Sequence, residues 1–117
     1  MIRCLRWVVI GASRDRAKYG NRAVQAYLRA GWTVYPVSPR EQDIESLRCY
    51  ASILDLPGPV DRATLYVPPA VGLTLIEDIA RKGVRELYLN PGANSPELVA
   101  KACEHGLAPL LRCSIIN

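Results

Sequence analysis

The stretch LRWVVIGASRDRAKYGNRAVQAYLRA, residues 5–30, decides the fold of this 117-residue chain. Its apolar run ends at Ile10 and Gly11 indicates a turn, a pattern that predicts a strand covered on both faces. A helical pattern then runs from Asn21 to Ala30. Charged side chains fill the loop and the start of the helix: Arg14, Asp15, Arg16, Lys18 and Arg22. A strand, a glycine turn and a helix in this order aim a helix N-terminus and free backbone amides at an anion, so the stretch predicts a phosphate site.

The rest of the chain continues this alternation of strands and helices, which predicts an α/β fold. We predict strands at Leu5–Ile10, Trp32–Val37, Ala63–Val67, Arg85–Leu89 and Leu107–Leu111, and helices at Asn21–Ala30, Ala70–Lys82 and from Ser95 to Gly106. A short strand and a helical turn are predicted at Arg48–Ala51 and Ser52–Leu56. Pro36 lacks an amide donor, so the second strand should fray or lie near an edge of the sheet at that point. Right-handed crossovers between the strands then predict a three-layer sandwich, with a parallel sheet of about five strands and helices on both faces. We predict that residues 1–117 form a single domain of this kind.

Composition limits the class of partner and the compartment. The net charge of +4 and the pI near 9.0 are mildly basic, but the charges form no run and no nucleic-acid motif, so a small polyanion explains them as well. The four cysteines are widely spaced and His105 is the only histidine, so we predict no metal site. The absence of a signal peptide and of a long apolar run predicts a soluble cytoplasmic protein with no membrane partner. The oligomeric state is open, and a homodimer is one expectation.

Ligands of open parallel sheets bind beyond the carboxyl ends of the strands. The loops predicted at that edge are Gly11–Gly20, Ser38–Arg40, Pro68–Pro69 and Asn90–Asn94. The first loop lacks the G-x-G-x-x-G pattern of dinucleotide sites, but Ser13 can donate a hydroxyl and Arg14 can clamp a phosphate. Arg40 follows the second strand, where NAD sites carry an acid. A cation there favours a phosphorylated ribose, as in coenzyme A or NADP, although an exposed arginine without a ligand fits the same position.

The motifs at the strand ends resemble those of a known family. They are GASRDRAKYGN after the first strand, VYPVSP at the second, LPGPVD before TLYVPP, and the closing RC. In this order and spacing, the chain resembles the small stand-alone CoA-binding domain proteins, which are similar to the nucleotide-binding domain of the succinyl-CoA synthetase alpha subunit. The resemblance implies a Rossmann-like α/β fold with coenzyme A as the cofactor.

The same resemblance implies a set of residues that hold the ligand. The diphosphate would lie against Gly11, Ala12, Ser13, Arg14, Tyr19 and Gly20. The adenosine phosphate would lie near Ser38, Pro39 and Arg40, the nucleotide along Tyr66, Val67 and Pro68, and the pantetheine arm beside Asn90 and Pro91. One departure is Ser46, which stands where the family often has glycine and leaves the shape of its loop open.

We find no convincing set of catalytic residues, so we predict a protein that binds a ligand and is not an enzyme. His105 is expected in the last turn of a helix, at the opposite end of the sheet from the ligand loops. Cys113 follows Arg112, and two interpretations stay open: a buried small apolar residue, or a thiol made reactive by the adjacent cation. The chain is too short for the phosphohistidine domain of the synthetase, so synthetase activity is not implied.

The leading hypothesis is therefore a module that binds or senses coenzyme A or an acyl-CoA through its diphosphate and adenosine phosphate. The alternative is the NADP-binding domain of an oxidoreductase, which predicts a catalytic Tyr/Lys pair or a second substrate domain, and neither is evident. A third hypothesis, nucleic-acid binding, predicts an affinity that falls steeply with salt.

Overall fold

A computed structural model of the chain describes residues 5–111, in which strands and helices alternate as the sequence predicts. The strands are β1 (Arg6–Ile10), β2 (Thr33–Val37), β3 (Asp43–Ile44), β4 (Leu47–Arg48), β5 (Arg62–Leu65), β6 (Glu86–Leu89) and β7 (Ala108–Leu110). The helices are α1 (Tyr19–Arg29), α2 (Pro69–Arg81) and α3 (Pro96–Glu104), with a 3₁₀ turn at Ile53–Asp55. Outside the segment between β2 and β5, the predicted elements are confirmed and only their ends differ.

Five strands form one parallel sheet in the order β2-β1-β5-β6-β7. The chain starts in the middle at β1, moves outward to β2, and then returns to the other side of β1 with β5, so the strand order reverses between β1 and β5. This is the Rossmann-like α/β topology that the sequence predicts. Pro36 pairs with Val9 on the edge strand β2, as its missing amide requires.

The alternation of side chains along β1 places helices on both faces of the sheet, which confirms the three-layer prediction. Val8 and Ile10 belong to the core cluster that contains residues of α2 and α3. Trp7 and Val9 belong to the cluster that contains residues of α1. The Trp7 ring stacks on Tyr27 of α1 with 4.2 Å between ring centroids. Burying a large apolar side chain contributes about 1.5–3 kcal/mol to stability. Because β1 buries such side chains on both of its faces, this one strand stabilises the packing of both helix layers.

The helices differ in how their first turns are satisfied. At α3 the Ser95 hydroxyl oxygen accepts from the Leu98 N–H at 3.1 Å, and Pro96 occupies the first helical position, as predicted. At α1 the N-cap residue is Lys18, which makes no capping hydrogen bond through its side chain. None of the helices within residues 5–111 is long and apolar enough to cross a bilayer.

The segment between β2 and β5 contains a small hairpin that the sequence analysis did not predict. The strand predicted at Arg48–Ala51 is wrong, because the strand residues are Leu47–Arg48 and they pair antiparallel with Asp43–Ile44. Tyr50, inside the predicted strand, forms only a single bridge with Val37. Strands of two residues show no periodic pattern, which is why the sequence did not reveal this hairpin.

The hairpin turn explains the glycine that the resemblance led us to expect at position 46. The turn consists of Glu45 and Ser46, whose φ angles are 49° and 65°. Positive φ at both central residues is what a type I′ hairpin turn requires, and glycine adopts it at the least cost. The loop therefore keeps the shape of a two-residue turn with serine in place.

Candidate functional site

Among residues 5–111, cavities open at the carboxyl edge of the sheet, and two of them lie where β1 and β5 end side by side. One, called here the α1 cavity, has a volume of about 400 Å³ and is bordered by the first turn of α1 and the turn after β6. The other, the α2 cavity, has a volume of about 340 Å³ and lies between the end of β2 and helix α2. Gly11 and Val67 line both cavities, so the two adjoin at the point where the strand order reverses.

Two glycines allow backbone segments to meet closely around this cleft. Gly11 has a φ of 88°, and a Cβ there would lie 2.8 Å from the Tyr66 carbonyl oxygen, closer than real Cβ contacts. At Gly20 an added Cβ would overlap the carbonyl oxygen of Gly11. The first turn of α1 therefore packs directly against the turn that ends β1.

The backbone amides that follow β1 divide into two groups. Those of Gly11 and Ala12 donate to the Val37 carbonyl, at 3.0 and 3.3 Å, and so fasten the turn to β2. The amides of Tyr19 and Gly20, in the first turn of α1, have no acceptor among the described residues. Both of these residues line the α1 cavity. Open donors therefore lie at the N-terminus of α1, where helices leave their first amides unsatisfied.

Lys18 adds a positive charge to the same place. It lines the α1 cavity, and within the part of the chain that the structure describes no acidic side chain pairs with it. Because Lys18 occupies the N-cap of α1, its charge adds to the positive end of the helix dipole. The sequence marks Lys18 as a loop cation and not as a site residue, because the predicted helix starts at Asn21 and the observed one already at Tyr19.

Acidic residues in and near β3 and β4 form ion pairs with the two arginines of the loop, Arg14 and Arg16. Arg14 Nη2 lies 3.2 Å from an Asp43 oxygen, and its Nε lies 3.6 Å from a Glu41 oxygen. Arg16 donates to both carboxylate oxygens of Glu45, at 2.9 and 3.3 Å, and these bonds raise the pKa of Arg16 and lower the pKa of Glu45. Neither arginine lines the α1 or the α2 cavity. Exposed ion pairs contribute little, so Arg14 can exchange its acids for a ligand at small cost.

Asn21 ties the loop to the hairpin from inside, and the sequence analysis missed it. Its side chain is fully buried, and Nδ2 donates to the Ser13 carbonyl at 2.8 Å and to Glu45 at 3.2 Å. The Ser13 carbonyl and the Arg14 N–H belong to one trans peptide, in which the two groups point in opposite directions. Because the carbonyl accepts from Asn21, the Arg14 N–H faces away from Asn21. The available signal was a polar residue on the apolar face of α1, three positions before Val24.

The turn after β2 contains three predicted site residues. The Ser38 N–H donates to the Tyr50 carbonyl at 2.9 Å, and the Ser38 hydroxyl oxygen accepts from the Arg40 N–H at 3.3 Å. Pro39 lines the α2 cavity. The Arg40 side chain is exposed and pairs with no acid among residues 5–111. A guanidinium that keeps its donors therefore stands one residue from the wall of the α2 cavity.

The turns after β5 and β6 complete the α1 cavity. Tyr66, Val67, Pro68 and Pro91 all line it. Pro68 forms the N-cap of α2 and has no N–H, so this wall offers apolar surface and few backbone donors.

Asn90 faces into the sheet and is not among the residues that line either cavity. It is buried, and its Nδ2 donates to the Thr64 hydroxyl at 2.5 Å and to the Leu65 carbonyl at 2.9 Å. Its backbone carbonyl accepts from the Ala93 N–H at 2.9 Å. Asn90 therefore braces β6 against β5 and shapes the turn that carries Pro91 to the cavity.

The histidine and the cysteines within residues 5–111 line neither cavity. His105 is exposed and forms the C-cap of α3, in the turn that precedes β7. Cys49 is buried, and this burial raises the pKa of its thiol. Cys113 lies outside the described residues, so both interpretations of it stay predictions. Within residues 5–111, no cluster of His, Cys, Asp and Glu is arranged to hold a metal ion.

Comparisons with known proteins bear on the identity of the cleft. The sequence pattern of a family described as CoA binding domain matches residues 5–117. The chain is 39% identical over 79 residues to ADP-forming acetate–CoA ligase II of Archaeoglobus fulgidus, and 40% identical over 83 residues to the alpha subunit of ADP-forming acetate–CoA ligase II of Pyrococcus furiosus. These matches cover 66% and 69% of this chain but 12% and 18% of the relatives, so the chain spans less than a fifth of their length.

Solved structures share the fold over nearly the whole chain. A conserved hypothetical protein from Pyrococcus furiosus matches with a TM-score of 0.86 and 34% identity, and the match covers 97% of both chains. The apo dinucleotide-forming acetyl-coenzyme A synthetase 1 of Ca. Korarchaeum cryptofilum matches with a TM-score of 0.79 and 30% identity. That match covers 90% of this chain and 25% of the synthetase, so the similarity is to one part of a larger protein.

Proposed function

Because this chain belongs to the family of CoA-binding domains, we propose that it binds coenzyme A or an acyl-CoA and performs no chemistry of its own. The matched segment is less than a fifth of each ligase that the chain resembles. We therefore do not assign the reactions of those ligases to this chain. The proposed role is that of a module that binds the cofactor or senses its presence.

The adjoining cavities are the observation that supports this proposal best. Coenzyme A carries a base at one end, a pantetheine arm at the other and a diphosphate between them. The α2 cavity suits the base, the α1 cavity suits the arm, and Gly11, which lines both, marks the position between them. The open amides of Tyr19 and Gly20 and the Lys18 ammonium lie beside that position. A diphosphate there would gain from the helix dipole, by about 0.3–1 kcal/mol at an exposed terminus.

The other predicted site residues take supporting roles in this proposal. Ala12 and Ser13 form the turn below the diphosphate, and Arg14 leaves Glu41 and Asp43 when a phosphate enters. Further ligand surface comes from Ser38, Pro39, Tyr66, Pro68 and Pro91. Asn90 acts through the turn that it braces.

Arg40 is the residue that we expect to contact the phosphate on the ribose. Titration calorimetry with coenzyme A and with dephospho-CoA tests this expectation in the wild type and in Arg40→Gln. The wild type should bind coenzyme A at least about 10-fold more tightly than dephospho-CoA, because a hydrogen bond to a charged group contributes about 1.5–3 kcal/mol. Arg40→Gln should bind both compounds alike. The matched control is Arg29→Gln, an exposed arginine in the last turn of α1, which should keep the wild-type preference.

Titrations with NADP and NAD on the same proteins separate the two nucleotide hypotheses. Binding of NADP without binding of coenzyme A would replace the proposal by an NADP-binding domain of an oxidoreductase. If no adenine nucleotide gives a binding signal, the proposed function is refuted.

A further inference from the structure

The α2 cavity has mainly apolar walls. They include Ile10, Val37, Ile53, Val67 and Leu75, contributed by the ends of β1 and β2, the 3₁₀ turn, the turn after β5, and α2. Its volume of about 340 Å³ falls in the range of roughly 300–1,000 Å³ that small-molecule pockets show. A flat, apolar heteroaromatic ring is the kind of group that such walls accommodate.

One carboxylate, Asp78, interrupts this apolar surface. It lies on α2 three residues after Leu75, and both residues line the cavity. In the described part of the chain, no hydrogen bond or ion pair reaches its side chain. Lys82, one helical turn later, is the usual partner for such an acid, but its ammonium donates to the Leu56 carbonyl at 2.8 Å. The wall of the cavity therefore carries an acceptor that has no donor.

Ser52 contributes a hydroxyl to the same wall. Its oxygen accepts from the Leu54 N–H at 3.2 Å and caps the 3₁₀ turn. The hydroxyl keeps its O–H donor, so what Asp78 adds to this wall is an acceptor that also carries a charge. An ionised carboxylate can only accept hydrogen bonds, so the ligand group that meets it must be a donor.

We infer that Asp78 accepts a hydrogen bond from the exocyclic amino group of adenine and makes the α2 cavity selective for a base that carries this amine. The inference rests on the proposed nucleotide function and extends it to a residue that determines specificity. Adenine offers an amino donor at the edge of a flat apolar ring, which matches an acceptor on the wall of an apolar cavity. A base without the amine would cover the carboxylate without satisfying it, and an unsatisfied charged group is costly to desolvate.

Titration calorimetry with ADP and with purine riboside 5′-diphosphate, which lacks only the 6-amino group, tests the inference. The wild type should bind ADP at least about 10-fold more tightly than the analogue, the lower end of the range that one hydrogen bond to a charged group provides. Asp78→Leu, which fills the same space with an apolar side chain, should bind both compounds alike. The matched control is Glu77→Leu, at the neighbouring exposed acid of α2, which should keep the wild-type ratio.

A second variant, Asp78→Asn, covers the case in which leucine blocks the cavity. The amide keeps an acceptor oxygen of the same size but loses the charge, so the preference for ADP should be reduced and not abolished. Equal affinity of the wild type for the two compounds, or a full preference in Asp78→Leu, would overturn the inference. If Asp78→Leu binds neither compound, a full preference in Asp78→Asn would overturn it. If the wild type binds neither ADP nor coenzyme A, the proposed function is refuted, and the inference with it.

Discussion

Gly20 determines how closely α1 approaches the turn that ends β1. In an ordinary helix, replacing glycine by alanine gains roughly 1 kcal/mol. Here an added Cβ would overlap the Gly11 carbonyl oxygen, so the backbone has to move, and overpacking of this kind costs about 1–3 kcal/mol. We expect Gly20→Ala to lower the free energy of unfolding, measured by urea denaturation, and to weaken coenzyme A binding because the open amides move.

Gly72→Ala is the matched control, since Gly72 also lies within a helix. A Cβ there meets only the end of the Leu98 side chain, at 3.2 Å, and that side chain can rotate. Its unfolding free energy should stay within about 1 kcal/mol of the wild type. A Gly20→Ala protein as stable as the wild type would show that α1 does not need this close approach.

The roles of single residues could be predicted from the sequence where backbone chemistry alone decides them. The missing amide of Pro36 predicted a strand that frays or lies at a sheet edge, and Ser95 was predicted to cap the helix that follows it; the structure has Pro36 on the edge strand and Ser95 as the cap. The direction of the Arg14 side chain depends on Glu41 and Asp43, which are distant in sequence and show no pattern linking them to the loop. For such side chains, only the folded chain reveals the partner.

Among the elements, the β3–β4 hairpin stores backbone strain in its turn. A left-handed conformation costs an L-residue roughly 1–2 kcal/mol, and Ser46 has a φ of 65°. Glycine removes that cost but loses more conformational entropy on folding, by about 0.5–1 kcal/mol. We therefore expect Ser46→Gly to raise the free energy of unfolding by about 0.5–1 kcal/mol, measured as a shift of the urea midpoint at constant slope.

Glu45→Gly distinguishes relief of strain from other effects at this turn. Glu45 has a φ of 49°, so glycine relieves similar strain, but the variant also loses the carboxylate that accepts from Arg16 and Asn21. It should therefore gain less than Ser46→Gly, or lose stability. A destabilised Ser46→Gly protein would contradict the assignment of strain to this turn.

The elements were predictable in proportion to the strength of their local signals. The helix after Ser95 has a cap residue and a proline at its first position, and the structure has both in those roles. The hairpin turn lacks the Asn-Gly or Asp-Gly pair that usually marks such turns, so Glu45 and Ser46 gave no indication of it. Residue propensities do not reveal a turn that the rest of the fold imposes on residues that rarely form such turns.

For the whole molecule, the alternation of strands and helices was enough to predict the parallel sheet and the edge at which the ligand loops meet. The order of the strands adds what the alternation could not: β1 and β5 are neighbours, and the cleft lies where they end. The adjoining of two cavities at Gly11 and Val67 depends on packing between distant segments. It is also the feature that allows one extended ligand to occupy both cavities.

Hydrogen exchange of the whole chain, with and without coenzyme A, tests whether one ligand engages that entire edge. A ligand at a hundredfold its dissociation constant adds about 2.7 kcal/mol of stability, and the amides that it contacts directly should gain the most local protection. We expect the slowing of hydrogen exchange to concentrate in residues 11–20, 38–40, 66–67 and 92–93. The largest effect should be at Tyr19 and Gly20, whose amides have no acceptor within residues 5–111.

The turns at the opposite edge, at Gly31, Gly83 and Gly106, serve as the internal control, and their exchange rates should change little. Protection centred on those turns, or none at Tyr19 and Gly20, would mean that the ligand does not lie across the N-terminus of α1.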